Sequence, residues 1–197
     1  MIGKLLPFRR RPPVVPDMSD AALVAACTTG DPGALGALFD RYAADVYRFL
    51  GRLRGADARD VDDLLQVTFL EAGRVAGSFR GGASVRTWIF AIAANVVRHH
   101  ARGEGRRRTV MDSFSALPQT RVESPADAAE RRQLIERLAG ALDDLDEDLR
   151  VAFVMCDLEE IPGVEAARAL GLRPGTMWRR LHDARRRLRH AIEKEIP

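Results

Sequence analysis

The chain has 197 residues, of which 46% are apolar and 30% charged, with a formal net charge of +3. No run approaches the roughly 20 apolar residues of a membrane span, and the apolar part of residues 1–16 is too short for a signal peptide. Cys27 and Cys156 lie far apart and lack zinc-site spacing, so neither a metal site nor a disulfide framework is indicated. A soluble protein of a reduced, cytoplasmic compartment fits this composition best.

Apolar residues recur at helical spacing, and no stretch alternates for long enough to predict a strand, so the sequence predicts an all-α protein. Ser19 is placed to cap a first helix that ends near Gly30. Asp31 and Pro32 predict the start of a second helix, with proline at the first helical position. One stripe of that second helix is apolar and predicted to be buried: Leu35, Leu38, Phe39, Tyr42, Val46, Phe49, Leu50 and Leu53.

Two further helices complete a predicted first domain over residues 19–102. The third carries the apolar stripe Val61, Leu64, Leu65, Thr68 and Ala72. The fourth begins at Ser84 and carries the stripe Val85, Trp88, Ile89, Ile92, Ala93 and Val96. The position of Trp88 on that stripe favours a place in the core, with a platform for stacking bases as the alternative. Residues 1–18 are predicted to be a disordered arm that either contacts DNA or is a solvated tail.

The apolar period disappears over residues 103–124, where glycine, proline and serine predict a flexible linker. A second small helical domain is predicted over 125–195, with one of its helices starting near Asp146. Within it, a short helix over 164–169, a turn with Gly171 in the left-handed conformation and a long helix over 174–193 form a helix-turn-helix. The last helix is predicted to bury one stripe: Met177, Leu181, Ala184 and Leu188.

Charge is segregated along the chain, with basic residues concentrated at 98–108 and 173–189 and acidic residues at 57–63 and 143–148. Basic stretches suit phosphate, because each phosphate neutralised releases a counterion. The amino end of the last helix of such a motif enters the DNA major groove, where arginine binds guanine edges or phosphates. The predicted DNA contacts of this helix are Arg173, Thr176, Arg179, Arg180 and Arg186. A merely solvated basic helix is the alternative.

Three segments resemble one family. The run from Leu170 to Arg185, LGLRPGTMWRRLHDAR, resembles the fourth conserved region of extracytoplasmic-function (ECF) sigma factors of the sigma-70 family. The run from Asp62 to Leu70, DDLLQVTFL, is similar to the family's core-binding segment, and the run from Arg86 to Asn95, RTWIFAIAAN, to its promoter-recognition helix. The resemblance covers residues 20–190. It implies a non-enzymatic factor that binds core RNA polymerase, directs it to specific promoters and helps open the DNA for initiation, without cofactor or metal.

The resemblance also assigns surfaces. It implies that the first domain contacts the beta-prime clamp of core RNA polymerase and the second domain the beta flap, and it leads us to expect an anti-sigma partner. The residues implied in polymerase binding are Asp60, Asp62, Asp63, Leu64 and Gln66. Those implied in recognising and melting the minus-ten element are Phe79, Arg80, Ser84, Arg86, Asn95, Arg98 and Arg102. An acidic turn suits a basic partner, although acidic residues also favour a helix amino terminus.

Several positions depart from the family pattern. Arg179 and Asp183 replace serine and arginine, and Ala94 and His99 stand where arginine and aspartate are common, so promoter preference stays open. Pro162 and Gly163 replace a polar capping pair. Two other functions also stay open. One is a homodimeric helix-turn-helix regulator that acts without polymerase. The other is a nucleic-acid enzyme, which would require a metal cluster built from three carboxylates: Asp62, Asp63 and Glu71.

Overall fold

The computed structural model describes residues 18–55, 60–104 and 137–193, without the side chains of 101–104. Its helices in chain order are α1 (Asp20–Cys27), α2 (Pro32–Arg54), α3 (Val61–Val75), α4 (Val85–Glu104), α5 (137–143), α6 (Glu147–Phe153), α7 (Gly163–Ala169) and α8 (Pro174–Glu193). A 3₁₀ turn, Ala76–Ser78, follows α3, and a π turn, Val154–Leu158, follows α6. These three ranges contain no strand, so the all-α prediction is confirmed.

The predicted capping residues begin their helices as expected. The Ser19 hydroxyl accepts a hydrogen bond from the Ala22 N–H at 3.3 Å, and the Asp31 carboxylate accepts one from the Gly33 N–H at 2.8 Å. At the start of α4, the Ser84 hydroxyl accepts a hydrogen bond from the Thr87 N–H at 3.1 Å. Each cap satisfies an amide that has no partner within its own helix, which is why these short polar residues mark helix starts.

Helix α2 lies at the centre of the first domain and packs against α1, α3 and α4. The rings of Phe49 and Phe90 are stacked at its core, with centroids 4.4 Å apart. Most of the stripe predicted for α2 is buried, but Phe39 is 38% exposed. Phe39 lies at the edge of the α2–α3 contact and meets Phe69 edge-on, with centroids 4.9 Å apart. The burial of Trp88 confirms its predicted place in the core.

In the second domain, α8 packs against α6 and α7. The predicted stripe of α8 is buried throughout, which confirms it, and Gly171 has a φ of +67° in the turn that precedes α8. The apolar core is continuous between the domains, because the cluster that contains Phe49 also contains Met155, Ala166 and Met177. Helix α4 contacts α7, and α2 contacts α6. The predicted arm, apart from Met18, and the predicted linker from residue 105 onward lie outside the described residues.

Candidate nucleic-acid interface

The turn before α8 sets which of its side chains reach the surface. Gly171 adopts the left-handed conformation that side chains disfavour, and Pro174 then begins the helix with a fixed φ. Because the apolar stripe faces α6 and α7, Arg179 and Arg186 point to solvent. Arg173 is exposed just before the helix, and Thr176 is half-buried in its first turn. Four of the five predicted contacts therefore lie at the amino half of α8 or just before it, whereas Arg186 lies one turn beyond that half. Of these five residues, Arg180 is engaged with another helix.

Arg180 forms an ion pair with Asp148 of α6, and its side chain is only 21% exposed. Arg186 is far more open, with 70% of its side chain exposed and an ion pair of 3.3 Å to Asp183 one turn away. A pair on one exposed helix face contributes little and yields easily to a phosphate. Arg180 would have to leave the Asp148 carboxylate before it could contact DNA.

The sequence did not single out Trp178, which is 50% exposed beside the predicted DNA contacts. Its indole covers Gly163, where an added Cβ would lie 2.9 Å from the indole Cη2. This contact accounts for the glycine at 163, because a larger residue there would collide with the ring, whereas nothing in the structure explains the proline at 162. Helix α7 begins at Gly163, and Pro162 at its cap position provides no side-chain hydrogen bond. The sequence signal that could have revealed this contact was a bulky residue in α8, Trp178, together with a glycine at the start of α7, Gly163.

The residues predicted for the minus-ten element surround the amino end of α4. Phe79 is half-buried against Trp88, with ring centroids 5.4 Å apart. Arg80 is exposed and donates to the Gly77 carbonyl at 2.9 Å. The guanidinium of Arg86 lies 4.4 Å above the ring of Phe90. This end of α4 therefore combines one exposed cation, Arg80, with a half-buried one, Arg86, that lies over an aromatic ring.

Further along α4, Asn95 is exposed and accepts a hydrogen bond from Arg98 at 3.0 Å. Arg98 itself is 15% exposed and forms an ion pair of 2.8 Å with Asp148. The side chain of Arg102 lies outside the described residues. All seven predicted minus-ten residues thus lie along α4 and the loop before it, and the side chains of six are described. Two of the cations, Arg86 and Arg98, already have acidic partners.

Helix α3 presents a separate acidic face. Asp62, Asp63 and Gln66 are exposed as predicted. Asp60 is only partly exposed, and its carboxylate lies between two basic side chains, 3.1 Å from Nε of Arg54 and 3.2 Å from Nδ1 of His100. Leu64 is 2% exposed, which corrects its assignment as a contact residue, because a side chain within the core offers no surface to a partner.

Two exposed apolar residues of α3 were missed by the sequence reasoning. Val67 is 48% exposed and Leu70 is 68% exposed. Val67 lies four residues after Asp63, and Leu70 lies four residues after Gln66, so both share the acidic face of α3. This spacing was the sequence signal that could have identified them. Val67 and Leu70 therefore form a short exposed apolar strip that is bordered by the carboxylates of α3.

The described carboxylates do not form the metal cluster that an enzyme would need. Glu71 is held by Arg74, with Oε2 2.8 Å from Nε, and this hydrogen bond lowers the pKa of Glu71. No group of three metal-ligating side chains occurs among the described residues. None of the helices within the described ranges combines the length and apolar character needed to cross a bilayer.

Comparison with known families gives two matches in chain order. The model of Sigma-70 region 2 matches residues 38–107, and the model of Sigma-70 region 4 matches residues 135–188. The curated ECF RNA polymerase sigma factor SigM of Mycobacterium tuberculosis is 34% identical over 175 residues, covering 87% of this chain and 84% of SigM.

Solved structures agree with these sequence matches. CnrH, solved in complex with the cytosolic domain of CnrY, has a TM-score of 0.62 at 25% identity, covering 90% of this chain and 99% of CnrH. The sigma factor RpoE from Bartonella quintana, solved with the anti-sigma factor NepR, shares the fold at a TM-score of 0.64 and 21% identity, covering 82% and 98%.

Two helical domains, the second with a basic helix-turn-helix, define a DNA-binding protein of the sigma-70 class. The chain belongs to the ECF RNA polymerase sigma factors. It is accordingly a sigma factor that binds core RNA polymerase, directs it to specific promoters and helps open the DNA for initiation. The comparisons support this function and give no support to the homodimeric regulator.

Proposed function

We propose that the exposed face of α8, from its amino end to Arg186, reads the minus-thirty-five element. The observation that carries this assignment is the burial of the apolar stripe against α6 and α7, which leaves Arg179 and Arg186 exposed. A helix fits the major groove, and an arginine there binds guanine bidentately or a phosphate by charge. The full set of proposed contacts is Arg173, Thr176, Arg179, Arg180 and Arg186.

Recognition and melting of the minus-ten element are assigned to α4 and the loop before it. Melting without nucleotide hydrolysis requires that the cost of unpairing bases be offset by protein contacts to single-stranded bases and phosphates. Phe79 supplies an aromatic surface, while Arg80, Arg86 and Arg98 supply charge. The remaining proposed contacts are Ser84, Asn95 and Arg102.

Polymerase binding is assigned to the exposed face of α3. Asp62, Asp63 and Gln66 give it polarity, and Val67 and Leu70 give it apolar area that is accessible without any rearrangement. Such a mixture suits an interface with an apolar centre and charged margins. Asp60 and Leu64 act behind this face, one by fixing the start of α3 and the other by packing it on the core.

A protein inhibitor of the anti-sigma class is the expected further partner, because RpoE of Bartonella quintana, which shares this fold, was solved with the anti-sigma factor NepR, and the similar CnrH was solved in complex with the cytosolic domain of CnrY. The site of action is the cytoplasm, where core polymerase and promoter DNA meet. The protein has no catalytic role of its own in this proposal, and no metal or cofactor takes part.

The test is run-off transcription on genomic promoter fragments with purified core RNA polymerase, with and without this protein. We expect promoter-specific transcripts only when the protein is present. Asp63→Asn should weaken the association with core polymerase, whereas Asp40→Asn, an equal charge change at an exposed site of α2, should not. Arg180→Ala should weaken use of the upstream element. Absence of transcripts, together with tight duplex binding by the protein alone, would instead identify a dimeric regulator.

A further inference from the structure

Trp178 carries the largest exposed apolar side chain among the described residues of the second domain. It lies in the second turn of α8, between the proposed DNA contacts Thr176 and Arg179. The apolar stripe of the same helix is buried, so the half-exposed indole is not part of that stripe. Burial of the ring against a partner would remove apolar surface that the free protein leaves in water.

Close packing against α7 holds the indole in place. A Cβ added at Gly163 would lie 2.9 Å from Cη2, 3.1 Å from Cζ2 and 3.3 Å from Cζ3 of the ring. Gly163 is itself buried, so the far edge of the indole rests on the backbone at the start of α7. A side chain that is fixed before binding loses little rotamer freedom when it meets a partner. The indole is therefore a preorganised contact surface.

The amino end of α8 leaves the indole accessible. Helical side chains lean toward the amino terminus of their helix, and residues three apart are neighbours on the helix surface. Gly175 lies three residues before Trp178, and nothing lies within 4 Å of the position that a Cβ on Gly175 would take. A partner can therefore approach the indole from the end of α8 that such motifs insert into the major groove.

The charges beside the indole favour DNA as this partner. Arg173 and Arg179 are exposed before and after Trp178 in the chain, and His182 is exposed one turn further along α8. An anionic polymer is the natural complement of such a basic border. An apolar group among cations suits a base edge that is bordered by phosphates.

Thymine is the base whose edge an indole matches best. Bases of a paired duplex stack on each other, so an aromatic ring in the major groove meets only their edges. On those edges the C5 methyl of thymine is an apolar group among hydrogen-bond donors and acceptors. An indole offers a large apolar surface and a single N–H donor, and it has no acceptor. Its apolar surface is therefore complementary to a methyl group.

We propose that Trp178 contacts a thymine methyl group in the minus-thirty-five element and so determines part of the promoter preference of this protein. The inference rests on the assignment of α8 to that element proposed above. Burial of one methyl group raises affinity about fourfold. The contact therefore selects thymine at one position, whereas the arginines beside it select guanine or bind phosphate.

The experiment removes the methyl group from the DNA and the indole from the protein, separately and together. The DNA is a promoter fragment that the holoenzyme transcribes in the run-off assay, with each thymine of the minus-thirty-five element replaced in turn by deoxyuridine, which lacks only the methyl group. We expect one such replacement to weaken binding of the wild-type holoenzyme about fourfold and to leave binding of the Trp178→Ala holoenzyme unchanged. A role of Trp178 in the fold alone would weaken binding to both fragments by the same factor.

Two further variants separate contact from charge and from packing. Arg189→Ala removes an exposed cation about three turns further along α8, so it should weaken binding to both fragments equally and keep the fourfold difference. Gly163→Ala keeps the indole but displaces it, because the added Cβ would lie 2.9 Å from Cη2, and it should reduce the difference. In the DNA, 5-bromodeoxyuridine places a bromine of similar size where the methyl group was, and it should restore the affinity of the wild-type holoenzyme.

Arg179→Ala distinguishes failure of this inference from failure of the proposed function. The contact by Trp178 is wrong if the wild-type holoenzyme distinguishes thymine from deoxyuridine at no position, or if Trp178→Ala keeps the fourfold difference. If Arg179→Ala nevertheless weakens promoter binding, the assignment of α8 to the minus-thirty-five element stands and only the thymine contact is lost. If Arg179→Ala leaves binding unchanged as well, that assignment fails too.

Discussion

Leu70→Ala tests the polymerase-binding face of α3 most directly. The change removes three carbons, each worth about 0.8 kcal/mol when buried. Because Leu70 is 68% exposed in the free protein, about 1.6 kcal/mol of that burial remains to be gained in a complex. Its loss should weaken binding to core polymerase about 15-fold. The stability of the free chain should change by less than about 0.5 kcal/mol, as is usual for surface positions.

Leu64→Ala is the matched control, six residues earlier on the opposite side of the same helix. Leu64 is 2% exposed, so its truncation should lower the free energy of unfolding by about 2–5 kcal/mol. Urea denaturation measures stability, and fluorescence anisotropy of the labelled protein measures affinity for core polymerase. Two results would refute the assignment: a Leu70→Ala variant that binds core polymerase within twofold of wild type, or a folded Leu64→Ala variant whose affinity falls as far as expected for Leu70→Ala.

Three further predictions concern the second domain. Gly171→Ala should lower the free energy of unfolding by about 1 kcal/mol, because residue 171 has a positive φ that alanine disfavours. Gly175→Ala, in the first turn of α8, should not lower the free energy of unfolding. Equal effects of the two variants in urea denaturation would contradict this prediction. If Arg179 contacts a phosphate, Arg179→Ala should reduce the slope of log affinity against log salt concentration by about 0.9. If Arg179 contacts a base, the variant should lose base preference at that position while the slope stays constant. Binding titrations that show neither change would exclude a DNA contact by Arg179. The backbone N–H of Ser84 donates to the Glu165 carboxylate at 2.9 Å, and this hydrogen bond lowers the pKa of Glu165. The contribution of Glu165 to the contact between α7 and the start of α4 is therefore complete above the ordinary carboxyl value of 4.5 and is lost as pH falls through the lowered value. Hydrogen exchange at the Ser84 amide should lose protection, relative to its intrinsic rate, toward acid pH, and constant protection would contradict this.

The site was partly readable from local spacing. The buried stripe of α8 predicted that Arg179 and Arg186 face outward, and the structure agrees. On α3, the family-like run from Asp62 to Leu70 contains both leucines, but only Leu64 was assigned to polymerase binding. Their separation of six residues places them about 120° apart around the helix, and the structure buries Leu64 while it exposes Leu70. A motif records which residues recur, whereas the side of the helix that meets the core decides which of them a partner can reach.

The sequence by itself determined the helices and their starts. Ser19, Asp31 and Ser84 cap helices because their side chains reach amides two or three residues away, which is a purely local geometry. Apolar residues at a spacing of three and four likewise predicted the buried stripes of α2, α3 and α8, apart from the outer edge at Phe39.

Only the tertiary structure decided how the two domains meet. The partners of Glu159 lie 107 and 73 residues earlier in the chain, and no local spacing connects them. Glu159, which follows the π turn, pairs with Arg52 of α2 and Arg86 of α4. Asp148 likewise pairs with two arginines on different helices, Arg98 of α4 and Arg180 of α8. Such contacts depend on the packing of elements that are distant in sequence, whereas helix starts and stripes depend on neighbours within one or two turns.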